Sequence, residues 1–296
     1  MREYVVDFMK RFEYPAEAQT SLIKAYDILV TSRQGREGLD RLIALYQEDI
    51  QLGYGEIYGY AKEMEHDLGV HRYQSVLTVF ICLSKHLKKM YSERNIEQSV
   101  WINSMLDLKY KLLECQDVKH IWGTFVGGWF SGFFRLKRFA LGRLQFEISQ
   151  YDREDYTENG KTVTRGMTVI DVHIPRTGMP LDADSCDEAF RMAKEFFRDR
   201  VNGAPMAFVC FSWMLYPDMI DILPERSNIK RFASRFKIID AQDDNPDAYA
   251  DMWRIFDMDY TGNLDDYPED SSLRRSMKAY LKNGGKTGEG YGIFFA

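Results

Sequence analysis

Apolar residues recur at two different spacings along this chain, and the change falls near its middle. Up to about Cys115 the spacing is helical. Leu22, Ala25, Tyr26 and Leu29 fall on one face of a helix, as do Leu39, Leu42, Ile43 and Tyr46. VLTVFICL, residues 76–83, is apolar on every side and predicts the central helix of a bundle. Trp101, Met105, Leu108 and Leu112 add another inward stripe. Drawn as a helix, residues 121–134 place Trp122, Phe125, Trp129 and Phe133 on one face, with a small-residue stripe of Gly123, Gly127 and Ser131. That segment reads either as a tightly packed connecting helix or as an aromatic wall of a substrate groove.

After Phe139 the period changes to two. Leu144, Phe146 and Ile148 oppose Arg143, Gln145 and Glu147; Ile170, Val172 and Ile174 oppose Val169, Asp171 and His173. Asn159-Gly160 between the two segments signals a hairpin turn. A plain two-residue turn there would set Glu147 opposite Val172 and split the polar residues between two faces. One bulge, expected at Gly166, brings Glu147 onto the face of Asp171 and His173.

Farther along, the pattern predicts a helix over 185–200 and a strand over 205–215. A short helix opens at Pro217, and another is capped by Ser227 or Asn228. FKIIDAQ and MWRIFDM read as strands. SSLRRSMKAYLKNGG is a helix capped by Ser271 or Ser272 and ended by Gly284. KTGEGYG is a flexible turn before a last strand, YGIFF. The expectation is an α+β protein: a helical bundle over 1–118, then a mixed β-sheet domain flanked by helices over 119–296.

Composition narrows the function classes. A chain of 296 residues that is 45% hydrophobic and 14% aromatic has ample material for two cores. A net charge of −6 argues against a general nucleic-acid binder, which displaces counterions with a basic face. Cys82, Cys115, Cys186 and Cys210 form no CxxC or Cys/His pattern, and the five histidines have no HExxH spacing, so no metal is expected. Without a leader-like N-terminus, reduced thiols in a cytoplasm are the expectation. The longest apolar stretch, 121–134, is shorter than the roughly 20 residues a bilayer requires, so no membrane is expected either. Oligomeric state is not legible.

RFALGRLQFE (138–147), VHIPRTGMPL (172–181), SWMLYP (212–217) and SNIKRF (227–232), with ICLSKHLKKM (81–90) and DLKYKL (107–112), carry a resemblance. The chain resembles a bacterial family of acyltransferases in which a helical N-terminal domain precedes a GNAT-like C-terminal domain. The resemblance implies a GNAT-like sheet and transfer of an acyl group from acyl-CoA to a small-molecule amine or hydroxyl acceptor. It also implies that the loop after TVIDVHI, with the following helix start, holds the cofactor pyrophosphate, through Arg176, Thr177, Gly178 and Ser185. Here the loop departs from closely spaced glycines. Pro175 and Pro180 lack N–H groups, and Asp182, Asp184, Asp187 and Glu188 follow.

Acyl transfer requires a base for the attacking amine. Glu147 and His173 are the candidates for base or relay, with Asp171 orienting His173. Trp122, Trp129, Ser212 and Trp213 are candidates to line the substrate cleft. Cys210 reads as a small buried hydrophobe or as a nucleophile. The basic groups Arg226, Lys230, Arg231 and Arg274, Arg275, Lys278 read as solvated helix faces or as phosphate contacts. Two other functions remain on the table: a non-catalytic GNAT-like binding or regulatory protein, and a thioester hydrolase using Glu147, Asp171 and His173 on water.

Overall fold

Every residue from Ser75 to Ser84 is buried, which identifies the helix around which the N-terminal unit is built. The computed structural model describes residues 1–201, 205–243 and 252–296. It divides into two units, Met1–Phe139 and Ala140–Ala296. The first holds α1 (Arg2–Arg11), α2 (Ala16–Thr31), α3 (Arg33–Glu48), α4 (Tyr54–Leu68), α5 (Arg72–Glu93) and α6 (Gln98–Lys119). The long central helix, α5, packs against α1, α2, α3, α4 and α6, which is why its apolar run continues all the way round. Its buried Ser84 hydroxyl finds partners in Ile81 O at 2.6 Å and the Tyr4 hydroxyl at 2.8 Å.

Residues 121–134 do not form the continuous helix that their pattern suggests. His120 ends α6 in the left-handed region, a 3₁₀ turn covers Gly127–Phe130, and α7 is only Ser131–Phe134. Trp122, Phe125, Trp129 and Phe133 therefore share no helix face. The small residues have a different use. A Cβ on Gly123 would lie 2.6 Å from the Tyr73 backbone, and one on Gly127 would lie 2.4 Å from Val76. Thr124 N–H donates to Tyr73 O at 3.1 Å, and the Tyr46 hydroxyl donates to Phe134 O at 2.7 Å. The segment is thus packed into the first unit, and the division falls after Phe139 rather than after residue 118.

The division falls within β1 (Arg138–Leu141), and the second unit continues with β2 (Leu144–Gln150), β3 (Tyr156–Glu158), β4 (Lys161–Val163), β5 (Thr168–His173), α8 (Ala183–Phe197), β6 (Ala207–Ser212), α9 (Pro217–Ile222), α10 (Asn228–Ala233), β7 (Lys237–Asp243), α11 (Trp253–Phe256), α12 (Ser272–Lys282) and β8 (Gly288–Phe295). Among the described residues one sheet has the order β1-β2-β5-β6-β8-β7, and β3-β4 form a separate hairpin. Asn159 and Gly160, at φ +50° and +75°, make that hairpin's turn. β5 and β6 run parallel, joined through α8; β2/β5, β6/β8 and β7/β8 run antiparallel. One face of the sheet holds Phe146, Phe208 and Phe294, which meet Phe190 of α8 at centroid distances of 5.6, 5.2 and 5.1 Å. Burying each of these rings contributes about 1.5–3 kcal/mol. The opposite face packs Val169, Ala207, Val209 and Ile293 with Tyr151 and Tyr291.

Two more expectations change. MWRIFDM is not a strand: Trp253–Phe256 is a single helical turn, with Met252, Trp253, Ile255 and Phe256 buried and Arg254 outward. The three glycines of 286–292 lie in β8 rather than in a turn. Side chains are missing from Gly288, Gly290 and Gly292 because Tyr216, Leu215 and Phe236 press onto that face. Among the described residues no helix is long and apolar enough to cross a membrane.

A Cβ on Gly290 would sit 2.1 Å from the Leu215 carbonyl oxygen, so backbone has to move. Gly290→Val should lower stability by about 1–3 kcal/mol, read as a shift in the urea midpoint. All four cysteines are buried, and burial pushes the Cys82 and Cys115 thiols up to about 12. Native protein should therefore not react with a thiol-specific disulfide reagent at about pH 8, while urea-unfolded protein titrates fully. The native state keeps protons that the unfolded thiols lose. Stability should accordingly be complete below the ordinary thiol value and fall as pH rises from about 9 towards 12, which an alkaline series of urea melts would follow.

Candidate active site

The candidate chemistry on the sheet depends on strand register. β2 and β5 pair with Glu147 opposite Asp171 and Gln145 opposite His173, so Gln145, Glu147, Asp171 and His173 share a face. The bulge is at Gly166. Tyr151 donates its N–H to Met167 O at 2.9 Å and accepts from Gly166 N–H at 2.8 Å, two residues against one, with Gly166 at φ +88°.

His173 Nε2 lies 3.3 Å from Glu147 Oε2 and 3.8 Å from Asp171 Oδ2. Glu147, not Asp171, is thus the hydrogen-bonding neighbour. Asp171 stands second, supplying negative charge. The side chains are 16% (His173), 20% (Glu147) and 29% (Asp171) exposed, enough for access yet dry enough to strengthen their interaction. Val209 pairs with Asp171, so Phe211 follows on the same face; at 36% exposure it is among the most exposed large apolar residues of the chain. Arg153 lies over the rings of Phe211 and Tyr291, 6.0 and 4.8 Å from their centroids. Burial, then the Asp171 charge, pushes the Tyr291 phenol well above its usual range.

Beside this cluster the sheet opens. β5 and β6 pair only at Ile170↔Phe208 and Asp171↔Val209, whereas β6 stays paired to β8 through Ser212. His173 therefore lies beyond the last parallel partner. The loop that follows has some peptide donors used and others not. Thr177 N–H bonds to Pro175 O, and Met179 N–H bonds to Thr177 Oγ1. Asp182 caps α8, accepting from the backbone and the hydroxyl of Ser185 at 2.9 and 2.8 Å, and those bonds hold its carboxyl below the usual range. The N–H groups of Gly178, Leu181, Ala183 and Asp184 have no partner among the described residues. Two unmatched donors in the loop and two in the first turn of a fifteen-residue helix suit an anion; the Asp182 carboxylate works against one.

Several candidates have other employment. Arg176 forms a two-pronged ion pair with Asp257, Nη1 to Oδ1 at 2.7 Å and Nη2 to Oδ2 at 2.9 Å. Ser212 accepts from Met214 N–H at 3.2 Å and lies, by register, on the face opposite Glu147. Trp213 packs against the cluster of Tyr216, Met277 and Leu281. Trp122 and Trp129 belong to the first unit, where the Arg138 guanidinium covers the Trp129 ring at 3.6 Å. Cys210 is fully buried, and burial pushes its thiol far up, which removes the nucleophile reading. Arg274 binds Asp257 and Asp270, and Lys278 holds the carbonyls of Asp265 and Tyr267, so both serve the fold. Phe211 and Arg143 are the residues the sequence reading did not single out for this site. Arg143 reaches the carbonyls of the loop after β5.

No curated protein sequence matches the chain. Its fold is similar to an acyltransferase mutant crystallised with octanoyl-CoA, with TM-score 0.76 and 22% identity over 99% of this chain and 88% of that one. It is also similar to an acyltransferase crystallised with decanoyl-CoA and teicoplanin, with TM-score 0.74 and 22% identity over 98% and 86%. Residues 138–294 match the GNAT-like C-terminal domain, and residues 3–136 match the N-acyltransferase N-terminal domain. With more than half its length in the first of these matches, the chain belongs to the GNAT-like C-terminal domain family, and it carries an N-acyltransferase N-terminal domain ahead of that module.

Proposed function

We propose that this protein transfers an acyl group from acyl-CoA to an amine or hydroxyl of a small acceptor. The observation that carries the reading is the parting of β5 and β6 beyond Asp171, beside His173 and Glu147 and ahead of four unmatched peptide donors. Solved structures of the same fold hold decanoyl-CoA and octanoyl-CoA, which supports a medium-chain acyl-CoA as co-substrate. One of them also holds teicoplanin, which supports an acceptor of small-molecule size.

In this reading the peptide donors of Gly178, Leu181, Ala183 and Asp184 receive the diphosphate. His173 sits with Nε2 towards Glu147, so an imidazole carrying its proton on Nε2 has its basic lone pair on Nδ1. The acceptor nitrogen or oxygen attacks the thioester carbon, its proton passes to His173, and the C–S bond breaks. The departing thiolate then takes that proton from the imidazolium, directly or through water, leaving free CoA, the acylated acceptor and a neutral His173. Glu147 is the positioning partner, and it stabilises the imidazolium as the proton arrives. Asp171 adds negative charge nearby.

Calorimetry with decanoyl-CoA, and thiol release measured against a panel of small primary amines and alcohols, test this. The expected result is saturable binding and release that depends on the acceptor. His173→Ala should lower kcat by about 10²–10⁴ with acyl-CoA affinity unchanged. Glu147→Gln, which keeps a hydrogen bond but not the charge, should lower it less. No binding at millimolar decanoyl-CoA would overturn the reading and favour a non-catalytic role. Equal thiol release with and without acceptor would assign a hydrolase instead.

A further inference from the structure

Arg143 sits with Gly142 in the two-residue turn between β1 and β2. Gly142 is at φ +61°, and a Cβ there would approach the Ala189 backbone of α8 at 3.3 Å. The turn is thus held against α8. From it the guanidinium spreads over the loop after β5: Nη1 donates to Pro175 O at 3.0 Å, Nη2 to Met179 O at 3.1 Å and Nε to Pro180 O at 2.9 Å. One rigid fork takes three carbonyls of a six-residue stretch.

We propose that Arg143 is a positioning residue for acyl-CoA binding, one that shapes the loop instead of touching the ligand, and this rests on the acyl-CoA reading above. A trans peptide is planar, with its C=O and the next N–H pointing in opposite directions. Drawing the carbonyls of Pro175 and Pro180 onto Arg143 therefore turns the N–H groups of Arg176 and Leu181 away from it. The loop has lost two donors to Pro175 and Pro180, so the orientation of those that remain matters more than it would in a glycine-rich loop. The lack of closely spaced glycines is offset by a side chain that sets the backbone from outside. Arg143 also lowers the Asp182 carboxyl by its charge, so it acts on the helix cap as well.

The clamp and a simple charge effect make opposite predictions for lysine. Arg143→Gln and Arg143→Lys should both raise the Kd for decanoyl-CoA by about tenfold, with kcat at saturation changed less than about twofold. Amide hydrogen exchange over 176–181 in the ligand-free protein should quicken in both variants, with the melting temperature unchanged, because the guanidinium is not in a core. Lysine restoring full affinity would overturn the proposal in favour of charge alone. Unaltered affinity and exchange in Arg143→Gln would overturn it outright. Wild-type protein that binds no decanoyl-CoA would instead sink the acyl-CoA reading on which it rests, whatever the exchange data show.

Discussion

A slip of one residue between β2 and β5 would turn Glu147 away from His173, because successive side chains on a strand face opposite ways. The chemistry of the second unit depends on that register. It is set locally, by Gly166 at a positive φ where Tyr151 meets two residues instead of one. On the other face the same register seats Phe146 against Phe190 and Phe208, so the polar cluster and the aromatic core cannot be shifted independently. Packing the rings correctly aligns the carboxylates and the imidazole.

The two units solve the burial problem differently. The first wraps helices around α5 and uses glycine in 121–134 to bring backbone against backbone. The second stacks α8 on a sheet and leaves one face of β8 without side chains over Gly288–Gly292, so that Leu215, Tyr216 and Phe236 can fill the space. In both, a small residue marks a place where a larger neighbour has prior claim to the volume.

Local signals were readable because their causes are local. Ser227 and Ser271 cap their helices through their own hydroxyls, Pro217 opens α9, and Gly166 carries the bulge. The misread segments have causes elsewhere in the chain. Nothing within 121–134 says that Tyr73 will lie against Gly123, and nothing near 290 says that Leu215 will. Four apolar residues around Arg254 fit a strand or one helical turn equally well until their burial is known. The face occupied by Ser212 follows from the pairing of Val209, three residues earlier, with the distant Asp171, and alternation within 205–215 could not supply it. Arg143 was invisible as a participant for the same reason, since its partners are carbonyls, which every residue has.

Asp257 occupies a left-handed backbone position and serves two guanidinium groups, Arg176 ahead of α8 and Arg274 on α12. Stretches almost a hundred positions apart in the chain thus meet at one carboxylate. Loss of that carboxylate would remove a contact from both guanidinium groups at once, so the entrance to α8 and the start of the final helix are coupled through one side chain.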